Sequence, residues 1–226
     1  MNPRTLLLVV LALALAAVAA PGTALAAGTL QPGAFVKTDT GECTLNFAYT
    51  DGATTYLGTA AHCVSGAGEV ARDSDGQPFG EVALRGNPNL LAEDYAFIRV
   101  RASELSRVSA RVKGSPQFPT GVTRPEDTRL GDTIQLSGFG LPFRLLGLTQ
   151  ERRIALMVRD DDATYQVIGP LLQGDSGGPL VHARTGRALG IVSRLCVGVC
   201  TEEGPTVQGV LARAAARGLV LRLLTT

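Results

Sequence analysis

Tryptophan is absent, histidine occurs twice, and charge of either sign is sparse: 21 basic and 20 acidic side chains in 226 residues. A formal net charge of +1 offers no basic footprint for nucleic acid. Charged residues make up 18% of the chain and apolar ones 45%, which excludes a disordered protein. The 27 glycines and 12 prolines have no collagen-like period, so they mark turns. Beyond Ala20 no stretch approaches the roughly 18–20 apolar residues that cross a bilayer as a helix. The length suits one or two domains with a real core, so the four cysteines can form bridges without the core depending on them.

What is present begins with a leader. Arg4 gives a short positive start, Leu6 to Ala20 is an unbroken apolar run, Pro21-Gly22 ends it, and Ala24-Leu25-Ala26 has the small-x-small form of a cleavage site. Residues 1–26 therefore read as a signal peptide cleaved after Ala26 or a residue or two later, with an uncleaved anchor as the competing reading. Loss of Arg4 leaves the basic and acidic residues equal at 20 each, so charge steering says nothing about substrate. The mature chain is expected to be secreted, or periplasmic in a two-membrane bacterium, where disulfides persist.

The remainder reads as β-structure. Short β-branched and aromatic runs recur between turn signals: 43–49, 55–59, 81–85, 95–101, 133–137, 154–158, 165–168, 180–182, 188–193 and 206–211. Leu211 to Leu224 is the one good helical stretch. Many short strands with a single terminal helix point to barrels or sandwiches. Lys113 to Pro125, with three prolines and little periodicity, reads as a linker between a half spanning 27–112 and another spanning 126–226.

Three motifs carry chemistry: Thr59-Ala60-Ala61-His62-Cys63, Asp94 at the head of an apolar run, and Gly174-Asp175-Ser176-Gly177-Gly178-Pro179. A serine hydroxyl is a weak nucleophile without an adjacent base. Histidine titrates near neutrality and suits that task, and a carboxylate fixes its tautomer and steadies the imidazolium. Ser176, His62 and Asp94 supply these roles if folding unites them. The glycines let the backbone turn sharply and approach a substrate carbonyl, aiming the N–H groups of Gly174 and Ser176 at a developing oxyanion. His182 reads as a packing or surface residue. Asp132 and the Asp160-Asp161-Asp162 run compete with Asp94 for the carboxylate role. Asp73-Ser74-Asp75-Gly76 and Asp160 to Asp162 read as solvated turns and not as calcium loops.

These motifs, in the order His, Asp, Ser, resemble the chymotrypsin-like (trypsin-like) secreted serine proteases of bacterial type, over residue 33 to the end. Gly190-Ile191-Val192-Ser193 and Gly209-Val210-Leu211-Ala212-Arg213 add to the likeness. The resemblance implies an all-β fold of two antiparallel six-stranded barrels with a C-terminal helix, peptide hydrolysis through an acyl-enzyme, no cofactor and no metal. It implies polypeptide substrates and protein inhibitors as partners, a monomer, and no nucleic acid or membrane. It implies a Cys43–Cys63 bridge beside the histidine, and leaves Cys196 and Cys200 to close a small ring if Gly198 turns. Relatives bridge that segment differently, and a rival pairing stays open. A zinc site using His62 would lack a standard ligand spacing.

Animal relatives pair the residue at Asp175 with a new N-terminus. No such start is seen near residues 27 to 40, so an internal arginine or a hydrogen bond is the expected partner. By the same likeness Pro170, Gln173, Ser193, Arg194, Leu195 and Gly209 line the substrate site. Pro170 stands where trypsin-like members carry a carboxylate, so cleavage after Arg or Lys is not implied. Arg194 and Leu195 stand where an aromatic and a glycine are usual. They would attract an acidic side chain and narrow the pocket mouth. The runner-up is a protease-like binding or regulatory protein whose pocket is occluded. An unrelated esterase is disfavoured, because the serine motif precedes a strand and the histidine comes first.

Overall fold

The computed structural model describes residues 28–115, 118–140, 152–194 and 201–225. The leader, Leu195, Cys196 and Cys200 lie outside these residues. Among the described residues, fourteen short strands form two antiparallel sheets. The first contains β1 (Phe35–Lys37), β2 (Glu42–Thr44), β3 (Ala48–Thr50), β4 (Thr55–Thr59), β5 (Val70–Arg72), β6 (Pro78–Arg85), β7 (Ala96–Val100) and β14 (Arg222–Leu223), in the order β14-β3-β4-β7-β6-β5-β1-β2. The second contains β8 (Thr133–Leu136), β9 (Arg153–Asp160), β10 (Thr164–Ile168), β11 (Pro179–His182), β12 (Ala188–Ile191) and β13 (Glu202–Pro205), in the order β12-β11-β8-β9-β10-β13.

Both sheets curl. β2 ends the first sheet and β3 lies near its other end, yet only Leu45 to Phe47 separate them in the chain, so the sheet bends back on itself. The expected single strand 43–49 is thus two strands around a bend, where Asn46 N–H donates to Gly58 O and Gly58 N–H to Phe47 O. A Cβ at Gly58 would fall 2.0 Å from the Asn46 amide oxygen, so only glycine fits under that bend. In the second sheet, bridges between Gly190 and Thr206 and between Arg194 and Glu203 draw the two ends together. Apolar residues fill each curl: Val36, Leu57, Phe79 and Ile98 in the first, Ile134, Met157, Val167 and Leu180 in the second. A third cluster, with Phe47, Tyr49, Tyr95 and Phe97, packs the sheets and the helix together.

The C-terminal region differs from expectation. Residues 206–211 are not a strand: helix α1 runs Val207–Ala216, and the Thr206 hydroxyl caps it by accepting from Gly209 N–H at 3.1 Å. Val207, Val210 and Ala214 are spaced to bury one helix face, and this packing outweighs the β-propensity of Thr-Val. The expected helix through Leu224 stops at Arg217-Gly218, where Gly218 takes φ +86°, and the chain then returns as β14 on β3. β13 was not foreseen, because its Glu-Glu-Gly-Pro sequence carries no strand signal. Part of the expected linker lies against the second sheet, with Thr120 N–H on Gly186 O and Thr123 N–H on Ala188 O.

Candidate active site

His62 sits in a single 3₁₀ turn, Ala61–Cys63, directly after β4. Ala60 and Ala61 are fully buried, so their methyls seat the turn against the core. The Cys43–Cys63 disulfide joins the turn to β2, with Cα atoms 6.2 Å apart, as the sequence led one to expect. The Arg85 guanidinium donates to Ala61 O at 3.0 Å, and the Thr38 hydroxyl to Cys63 O at 2.5 Å. Another 3₁₀ turn, Leu91–Glu93, delivers Asp94 just ahead of β7.

Asp94 Oδ2 lies 2.7 Å from His62 Nδ1, and Oδ1 accepts the His62 backbone N–H at 2.9 Å. The Ser193 hydroxyl donates to the same Oδ2. The carboxylate is 3% exposed while the imidazole is 37% exposed, so the ring keeps an open edge. Burial pulls the Asp94 pKa up, but the His62 ring bond and charge, the Ser193 hydroxyl and the His62 N–H outweigh it, and the carboxyl is held below its ordinary value. Sequence reasoning placed Ser193 at the substrate edge and missed this contact.

The Ser176 loop is docked onto the first sheet. Thr44 N–H donates to Ser176 O at 2.8 Å, and the Thr44 hydroxyl donates to Gly174 O at 2.8 Å. Gly177 has φ +86°, and a Cβ there would fall 2.3 Å from Thr44 O and 2.3 Å from the Thr59 hydroxyl. Only glycine allows this approach, which sets Ser176 beside the residues leading into His62. Among the described residues, the N–H groups of Gly174 and Ser176 donate no hydrogen bond.

Asp175 is fully buried and takes four donors. Arg153 grips it with both terminal nitrogens at 2.7 Å, and the N–H groups of Gly140 and Leu172 each add a bond at 2.8 Å. The partner left open by the sequence is therefore an internal arginine. Nothing in the spacing of 153 and 175 marks this pair; the register of β9 brings them together.

A trypsin-like peptidase domain model matches residues 33–191. The chain belongs to the trypsin-like peptidase family. The fold of this peptidase is similar to that of protease A from Thermobifida fusca (TM-score 0.64, 18% identity, covering 88% of this chain and 100% of that one). It is similar to a Cellulomonas bogoriensis chymotrypsin (TM-score 0.57, 22% identity, 87% and 100% covered). It is also similar to a glutamic acid specific serine protease described as using a histidine triad in substrate binding (TM-score 0.61, 20% identity, 86% and 100% covered). These likenesses support the chymotrypsin-like fold of two barrel-like sheets. No curated protein sequence matches this peptidase.

The other expected residues are placed as follows. Pro170 is exposed, with its carbonyl accepting from Arg153 at 2.6 Å, and Gln173 is exposed beside Gly174. Arg194 pairs through its backbone with Glu203 and sends its guanidinium to Asn89 O at 3.3 Å. Gly209 lies in α1 against Asp162 and Ala163, not beside the His62–Asp94 pair. His182 is fully buried between Thr185 (2.8 Å) and Asp132 (3.1 Å), which agrees with a packing role.

The acidic turns serve the fold. Asp73 accepts from Asp75 and Gln77 N–H and pairs with Arg107, while Asp161 accepts from Ala163 and Thr164 N–H. The sulfurs of Cys43 and Cys63 and a His62 nitrogen lie within 4.8 Å of one another, but bonded sulfurs offer no thiolate to a metal.

Proposed function

We propose that this peptidase is a secreted serine endopeptidase that works through an acyl-enzyme, with a signal peptide at residues 1–26, a His62- and Asp94-bearing half at 27–112, a linker at 113–125 and a Ser176-bearing half at 126–226. Ser176 Oγ attacks the scissile carbonyl carbon as His62 Nε2 takes its proton. Asp94 holds Nδ1–H and steadies the imidazolium. The carbonyl oxygen becomes an oxyanion facing the Gly174 and Ser176 N–H groups. The intermediate collapses, the amine leaves with the proton from His62, and water then releases the acyl group by the same steps reversed.

The observation that carries this reading is the buried Asp94 carboxylate bonded to an accessible His62 ring, 2.7 Å apart, next to a serine loop whose Gly174 and Ser176 N–H groups donate no bond among the described residues. Secretion rests on the leader, and no helix among the described residues is long and apolar enough to cross a membrane. A fluorophosphonate probe tests the reading. The native protein should label, Ser176→Ala should not, and His62→Ala should label at least about 10²-fold more slowly. Absence of labelling in the native protein overturns it.

A further inference from the structure

Two single 3₁₀ turns present His62 and Asp94, and no side chain caps the start of either. A turn of three residues has little cohesion of its own, so its placement depends on what grips it from outside. The His62 turn is gripped at the Ala61 carbonyl, which accepts from the Arg85 guanidinium at 3.0 Å. The Asp94 turn is gripped at Glu93, whose carboxylate pairs with one terminal nitrogen of Arg217. The two grips meet, because the other terminal nitrogen of Arg217 donates to the carbonyl of Arg85 itself at 3.2 Å.

One planar guanidinium therefore spans from the residue before Asp94 to the residue that holds the His62 turn. Arginine suits this task because its donors are fixed in a fork, whereas a lysine ammonium is a point charge. The fork has a firm base. Arg217 closes α1, its own N–H bonded to Ala214 O at 3.0 Å, and α1 buries Val207, Val210 and Ala214 in the cluster that also holds Tyr95 and Phe97. Tyr95 directly follows Asp94, and its carbonyl accepts Gly86 N–H at 2.8 Å, which joins the end of β6 to the start of β7. Only glycine fits at 86, since a Cβ there would fall 2.0 Å from Glu93 O. The Arg217 and Glu93 side chains are 38% and 24% exposed. Pairs this open contribute little to folding, so the clasp acts on geometry more than on stability.

We propose that Arg217 is a positioning residue for the His62–Asp94 pair, acting through Glu93 and Arg85, so that the C-terminal helix sets the separation of base and carboxylate. The proposal rests on the reading of His62 as base and Ser176 as nucleophile.

Arg217→Met keeps the aliphatic stem and removes the fork. Its rate of fluorophosphonate labelling should fall at least about 10-fold. On a peptide anilide that the native protein cleaves, kcat should fall with it, while KM and the denaturant midpoint stay close to native. The His62 Nδ1–H proton, which resonates at low field because its bond to Asp94 is short, should move upfield in the NMR spectrum of the variant. Arg217→Lys should recover part of the rate. Arg213→Met, which removes an arginine bonded to Gly209 O within the same helix, should change neither the rate nor the proton. Adding Glu93→Gln to Arg217→Met should slow labelling no further, because both changes break the same contact. Absence of labelling in the native protein overturns the function itself. An unchanged labelling rate in Arg217→Met, an equal fall in Arg213→Met, or a fall with the Nδ1–H proton unmoved overturns this inference alone. If Arg217→Met does not fold, Glu93→Gln, which removes the charge at the other end without shortening a side chain, decides the matter by the same readouts.

Discussion

The turn carrying His62 and the loop carrying Ser176 meet across the two sheets, but they are held by different physics. The first is tied covalently, Cys63 to Cys43, with Asp94 accepting two bonds from the same histidine. The second is held by a buried ion pair, Arg153 with Asp175, and by glycines at Gly174 and Gly177 with φ of +100° and +86°. A bridge between segments 20 residues apart restrains the unfolded chain and is indifferent to pH. A buried ion pair fixes geometry only while both partners are present, because either one alone is a desolvated charge. The histidine half should therefore be sensitive to reductant, and the serine half to loss of a charge.

The largest effect is expected at the serine half. Arg153→Leu leaves Asp175 buried without its guanidinium and should cost about 3–5 kcal/mol in denaturant unfolding. Fluorophosphonate labelling should fall with it, because the loop that aims the Gly174 and Ser176 N–H groups loses its anchor. A smaller change, with labelling intact, would show that the Gly140 and Leu172 N–H groups hold Asp175 by themselves.

Reduction of Cys43–Cys63 comes next. The Cys43→Ala/Cys63→Ala variant should lose about 3 kcal/mol in the chain-entropy account, and mild reductant should reproduce that loss in native protein but not in the variant. A variant as stable as the parent would break the contrast between the two halves.

The smallest effect sharpens the link between them. Ser193→Ala removes one of the donors that hold the Asp94 pKa down. A charge-assisted bond of about 1.5–3 kcal/mol corresponds to roughly 10-fold or more in kcat, with KM little changed. Asp94 has a depressed folded pKa, so its stabilisation is present above the ordinary value of 3.8 and is lost as pH falls through the depressed one. In Ser193→Ala that acid loss should begin at a higher pH, as an unfolding titration would show. An unmoved acid limb would assign Ser193 a packing role only.

The three motifs were legible because each concentrates its chemistry within a few residues: His62 with Cys63, Asp94 before its strand, Ser176 among glycines. Most strands were legible as short β-branched and aromatic runs between turn signals; in β9 only burial alternates, with exposed Ile154 and Leu156 beside buried Ala155 and Met157. The C-terminal elements were not. Thr206 reads as a β-former until its hydroxyl is seen capping α1, and Glu-Glu-Gly-Pro carries no strand signal until β10 pairs with it. Thr44 lies in no motif, yet with Thr59, the first residue of the histidine motif, it docks the serine loop on the first sheet.

The sequence by itself pointed to the family and singled out the proposed reacting groups, because nucleophile, base and glycine turn are local patterns. It also indicated that Asp175 needs a partner. Which arginine answers and which hydroxyl steadies Asp94 were decided by tertiary structure alone. Each of those depends on strand register between segments 22 to 99 residues apart, and a register is set by the packing of a whole sheet face, which no short window of sequence encodes.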